Sequence, residues 1–260
     1  MASALGEAAM QAARDARVDL GFGLDGPLPD LLTAIEGPGG AHVVVLDLGE
    51  DIAGACLQRP PDLVLLFVNG AQAPVRQRFT LAHEFGHRRL GHASVIDRVV
   101  DVSGGAKDPS EVAANYFAAE FLIPRPAAER WADGRAPGLD DVVRLACAYG
   151  VSAKMARVRL ETCGVLVDPQ RIARLDREID EENLHLGLAG VLGLEDLADG
   201  LAAAAAARPR LPPALHGSAL GAVLTGELTV AQGAARAGRT EADFRRAIED
   251  LGLAGLVPSA

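Results

Sequence analysis

The spacing of apolar and polar positions changes several times along this chain, and each change marks an element. Residues 3–17 predict an opening helix and Pro27–Glu36 a second, shorter one. His42–Leu48, Ala53–Gln58 and Leu63–Asn69 are short, rich in Val and Leu, and separated by Gly, Asp and Pro, so they predict three strands of a small sheet. Asn69-Gly70 then signals a turn.

Helical spacing follows. Pro74 suits the first turn of a helix that can run through Leu90 to Gly91, a residue type that ends helices. Asp108-Pro109-Ser110-Glu111 opens another, with Ala114, Phe117, Ala118, Phe121 and Leu122 at helical spacing and Pro124 and Pro126 ending it. Residues 140–149 and 153–163 form two short helices hinged at Gly150-Val151-Ser152, where Ser152 is the N-cap. Beyond Val167 only helix formers remain. Asp168–Leu186 is a charged helix, Ala202–Pro213 a helix running into a Pro-rich linker, and residues 218–252 a second compact helical unit with a turn at Gly238-Arg239. The predicted class is α+β, divided into residues 1–138, 139–167 and 168–260.

Composition narrows the function classes. With 260 residues, 49% hydrophobic and 23% charged, the chain can bury a core and is neither disordered nor collagen-like. Its net charge of −10 supplies no general positive field for nucleic acid, so DNA binding would require a local basic face. Cys56, Cys147 and Cys163 are widely spaced and form no CxxC pair, which fits a reducing cytosol. Neither a signal-peptide pattern nor an apolar run of about 18–20 residues is visible, and the expectation is a soluble cytoplasmic protein.

The candidate chemistry lies in His83-Glu84-Phe85-Gly86-His87, an HExxH segment within the helix predicted from Pro74. Residues i and i+4 share one helix face, so both imidazoles can reach one metal ion, while Glu84 is rotated away and can meet a water there instead. From this composition, chance produces such a segment on the order of 0.01 times. A catalytic zinc usually takes a third protein ligand. His92 is one candidate, but Leu90 and Ala93 stand where a longer histidine motif needs glycine and histidine, which places His92 just past the helix end. Glu111 is favoured, because Glu111 and Asn115 are also i and i+4 and can point a carboxylate to the metal and an amide to a ligand histidine. Asp108 and Glu111 also have capping-box spacing, which would turn Glu111 toward the backbone instead. Arg76, Arg78, Arg88 and Arg89 read as a solvated helix face, and Lys154, Arg157 and Arg159 as a basic face on the helix after the hinge.

The segments Arg78–His87 and Glu111–Pro124 resemble the ImmA/IrrE family of metallopeptidases. The resemblance covers residues 30–165 and implies a small zincin-like domain, its sheet packed on the HExxH helix, followed by a helix-turn-helix-like segment at Leu139–Leu166. It implies an endopeptidase that cleaves a helix-turn-helix transcriptional repressor, relieving repression in a stress response or in mobile elements. His83, His87 and Glu111 then match metal ligands and Glu84 the catalytic glutamate. Zn²⁺ suits two imidazoles and a carboxylate, although Mn²⁺ or Fe²⁺ would accept the same ligands. The alternative from another class is a non-proteolytic metal-binding regulator or a toxin–antitoxin-type interaction protein on the same scaffold. Residues 218–252 resemble small DNA-binding or antitoxin-like modules more loosely, and an interaction role suits them equally.

Overall fold

Three runs of Val and Leu become β1 (His42–Leu46), β2 (Ile52–Arg59) and β3 (Leu63–Asn69). A fourth strand that the pattern did not predict, β4 (Val95–Arg98), completes the sheet. The order is β1-β3-β2-β4, with β1 parallel to β3 and both other pairings antiparallel. This computed structural model describes residues 4–59, 63–93, 95–99, 108–131, 136–181, 184–194, 210–212, 215 and 217–258.

The strands are apolar at successive positions because both sheet faces are covered. Val43, Val45, Cys56, Leu66 and Val68 face a helical layer made of α1 (Ala4–Asp19), α3 (Pro74–Leu90) and α4 (Pro109–Leu122), with the short α2 (Leu31–Glu36) leading into β1. Leu81, Phe85, Phe117 and Phe121 fill the space between α3, α4 and the sheet. Gly86 lets the two helices close up, since a Cβ there would lie 2.9 Å from Phe117 Cδ1.

The remaining helices on this side are α5 (Arg125–Trp131), α6 (Leu139–Tyr149), α7 (Ala153–Thr162), α8 (Pro169–Asp180) and α9 (Leu184–Val191). Helix α6 ends at Gly150 in the left-handed region (φ 63°), and Ser152 caps α7 by accepting from Met155 N–H. On the other sheet face, Val44, Leu46, Ala55, Leu57, Leu65 and Phe67 pack against α10 (Ala219–Leu224), α11 (Val230–Arg236) and α12 (Glu241–Asp250), chiefly through Val223, Phe244 and Ile248. The C-terminal unit thus spends its apolar stripe on the sheet. Arg210 ties the approach to it, exchanging backbone hydrogen bonds with Val45 and forming an ion pair with Glu36. Residues 202–209 and 213 of the predicted Ala202–Pro213 segment lie outside the described residues.

Two expectations about arginines need correction. Arg78 is not on a solvated face. It is fully buried and donates to Leu28 O, and burial lowers its pKa to about 10. Helix α3 is covered by the sheet on one side and by α1 and α4 on the other, so its middle turns have no solvent face. Arg157 and Arg159 are also buried, paired with Glu161 and Asp176 and with Glu120 respectively, while Lys154 is held by Asp176 and Asp180. Charges spent this way do not form a basic face for phosphates. Among the described residues, no helix is long and apolar enough to cross a membrane.

Candidate metal centre

Helix α3 starts at Pro74, whose missing N–H removes one of the unpaired donors of a first turn, and ends at Gly91 in the left-handed region (φ 70°). Within it His83, Glu84 and His87 are all fully buried. The two histidines point their Nε2 atoms at one another, 3.1 Å apart. Glu111, from the first turn of α4, closes on both, with Oε2 at 3.2 Å from His83 Nε2 and Oε1 at 3.4 Å from His87 Nε2. The cap of α4 is Asp108, which accepts from Ser110 N–H, so the Glu111 carboxylate is turned to the histidines and not back to the helix start.

Each histidine is fixed from behind. Asn115, one turn on from Glu111, accepts from His83 Nδ1–H through Oδ1 at 3.1 Å. His92 takes the equivalent place for the other ring, its Nδ1 lying 2.9 Å from His87 Nδ1, while Gln58 Nε2–H donates to the His92 carbonyl. His92 therefore stands behind His87, outside the group of converging donors. With both Nδ1 atoms engaged, both Nε2 atoms are left facing the centre, the tautomer arrangement that metal-binding histidines need.

One residue that the motif did not single out enters the same space. Asp97 on β4 places Oδ2 at 3.3 Å from His83 Nε2 and 3.4 Å from His87 Nε2. His83, His87, Asp97 and Glu111 offer donor atoms that all lie within 4.8 Å of one another. Asp97 points inward because β4 adds to the β2 edge with Gly54 opposite it, next to a register shift between Ile52 and Gly54. Irregular edges of this kind re-aim side chains. The alternation of exposed and buried positions along β4 was the available signal, but four residues after a helix end are too few to read.

A divalent ion fits these residues. Bonds of about 2.0–2.1 Å in a tetrahedron imply donor separations of about 3.3–3.4 Å. The separations between the two Nε2 atoms and the carboxylates are 3.2–3.4 Å. Asp97 Oδ2 and both oxygens of Glu84 are buried without a hydrogen-bond partner, a cost that a cation and its water would remove.

The electrostatics agree. Burial, then the neighbouring Asp97, push the Glu84 carboxyl well above its ordinary range. Burial works against ionisation of Glu111 and of His83 as well. It is outweighed by their contacts with each other and, for His83, with Asp97, so Glu111 is lowered and His83 raised. Beside the centre lies a cavity of about 470 Å³ walled by Phe79, Asn115, Tyr116, Met155 and Val158.

Residues 40–161, from the start of the sheet to the end of α7, match the IrrE N-terminal-like domain. This stretch carries the chain's likeness to the ImmA/IrrE family. The chain is also similar to the radiation response metalloprotease IrrE of Deinococcus radiodurans, 33% identical over 99 residues. That alignment covers 37% of this chain and 30% of IrrE, so the chain spans less than a third of the curated relative it matches. The family domain takes in β1–β4, α3, α4 and α7, and so every residue of the centre.

Proposed function

We propose that this chain is a zinc-dependent endopeptidase that cleaves one specific protein, a helix-turn-helix transcriptional repressor, and so relieves repression. The observation that carries the reading is the convergence of His83 Nε2, His87 Nε2 and the Glu111 carboxylate beside the buried, unpartnered carboxyl of Glu84. His83, His87 and Glu111 would hold the metal, whose contribution is to acidify a water and polarise the scissile carbonyl. Asn115 and His92 hold the two imidazoles in the tautomer that leaves Nε2 available. Glu84 takes the proton of the attacking water and returns it to the leaving amine. Burial raises its proton affinity, the direction that helps it hold the proton it takes. The cavity beside Asn115 gives a mostly apolar substrate side chain a place to dock.

The choice of zinc rests on the donor set of two imidazoles and a carboxylate. The choice of substrate rests on the family resemblance. A cytoplasmic setting is part of the reading and is supported by three free, buried thiols, Cys56, Cys147 and Cys163. The test compares metal content and cleavage of helix-turn-helix repressors from the same organism, using wild type, Glu84→Gln and His83→Ala. Glu84→Gln is expected to keep about one metal per chain and lose cleavage, and His83→Ala to lose both. Cleavage by Glu84→Gln at the wild-type rate would remove the general base from the mechanism.

A further inference from the structure

Catalytic zinc sites hold three protein ligands and leave a fourth position open, whereas structural sites are filled by four. The centre described here has four protein donors. Asp97 Oδ2 stands as close to the two Nε2 atoms, at 3.3 and 3.4 Å, as the Glu111 oxygens do, at 3.2 and 3.4 Å. Asp97 is 3% exposed, and its Oδ2 makes no hydrogen bond that would give it another occupation. It also lies close enough to Glu84 to act on that carboxyl. Its holder is an edge strand of four residues, joined to the sheet through β2 alone and alternating exposed Ile96 and Arg98 with buried Asp97.

We propose that Asp97 is a fourth protein ligand of the metal, carried on the β4 edge, and that it closes the centre until a substrate or another ligand displaces it. This rests on the metallopeptidase reading above. The proposal separates two roles that look alike in the donor geometry. Glu111 sits on a helix packed into the core and is a permanent ligand, whereas Asp97 sits on a short edge strand and is an exchangeable one. A strand four residues long at a sheet edge has few contacts to break, so it belongs to the low-stability end of the structure.

The test uses the full chain reconstituted with cobalt(II), with acetohydroxamate as the probe for an open coordination position. Wild type, Asp97→Ala and Asp97→Asn are compared by bound metal, by the visible cobalt spectrum and by acetohydroxamate titration. If Asp97 vacates its place in about one molecule in ten, the probe binds wild type about tenfold more weakly than it binds Asp97→Ala. The expected result is one cobalt per chain in each protein, a shifted cobalt spectrum in both variants, and at least that gain in probe affinity. Unchanged spectra and equal titrations with cobalt bound would overturn the role of Asp97 and leave the metallopeptidase reading intact. Absence of cobalt from wild type would overturn that reading itself, and this inference with it. If Asp97→Ala misfolds, judged by the metal-free melt, Asp97→Asn, which keeps the side-chain shape, decides by the same titration.

Discussion

Gly54 and Glu84 compete for the same space. A Cβ on Gly54 would lie 2.4 Å from Glu84 Oε1, 2.7 Å from Phe67 O and 2.7 Å from Thr80 Cγ2, so the buried carboxyl sits under the sheet only because β2 has no side chain there. Two of these neighbours are backbone or a packed methyl and cannot give way cheaply. Gly54→Ala is therefore expected to destabilise the protein by about 1–3 kcal/mol and to push Glu84 out of line. The check is a thermal melt beside repressor cleavage and metal content. Cleavage should fall much further than bound metal, because the strain falls on Glu84 and not on the histidines.

The residues behind the imidazoles give a second expectation. Asn115 fixes His83 and His92 fixes His87, each through Nδ1. Partners of this kind are worth about 10–100-fold in metal affinity. Asn115→Ala and His92→Ala should each weaken zinc binding within that range in a chelator competition assay, with one metal still bound at saturation. His92 is partly exposed, so its variant belongs at the lower end. An unchanged affinity in both would mean that the ring orientations are set by packing alone.

Much of this arrangement is legible in the sequence. The ends of α3 fall where Pro74 and Gly91 mark them, and the i, i+4 spacing put His83 and His87 on one face because a helix imposes that geometry whatever surrounds it. Glu111 could be singled out for the same local reason. Asp97 could not, because a strand register brings it in, and register depends on which edge β4 finds. The burial of Arg78 escapes the sequence for a related reason: helical spacing tells which residues share a face but not that both faces of α3 are covered. The break between α6 and α7 is legible in Gly150 and Ser152, but the inward turn of Arg157 and Arg159 depends on acidic partners on other turns and helices.

A pH dependence follows from Glu84. Its folded pKa is raised well above the ordinary value of 4.5, first by burial and then by Asp97. Between these two values the unfolded chain has released a proton that the native state keeps, so stability falls as pH rises through that window. Glu84→Gln removes the liability. The metal-stripped variant should melt a few degrees above metal-stripped wild type at neutral pH, where about 1 kcal/mol corresponds to roughly 2–4 °C for a chain of this size. The gap should close as the pH falls below 4.5, where both states of wild type hold the proton. A gap that widens toward acid would contradict the assigned sign.

The last expectation concerns the joint between the metal centre and the helices that follow it. Glu120 on α4 is fully buried and accepts from Arg159 of α7, from Arg14 of α1 at 3.1 Å and from Arg125 N–H at 3.2 Å. Arg159 in turn donates through Nε to Ile123 O at 2.7 Å. Removing one member of a buried pair leaves the other charge uncompensated, at a cost of about 3–5 kcal/mol. Arg159→Ala should therefore lower the melting temperature, because Glu120 keeps only Arg14 as a charged partner, while Glu120→Gln combined with Arg159→Met should recover part of the loss, since the one charge then released, on Arg14, is partly exposed. The same pair tests how α7 is used. If Arg159 served as a phosphate contact, the double variant would also lose DNA affinity and flatten its salt dependence. The buried geometry predicts recovered stability with no change in any DNA signal, because Arg159 is 2% exposed and already committed to Glu120.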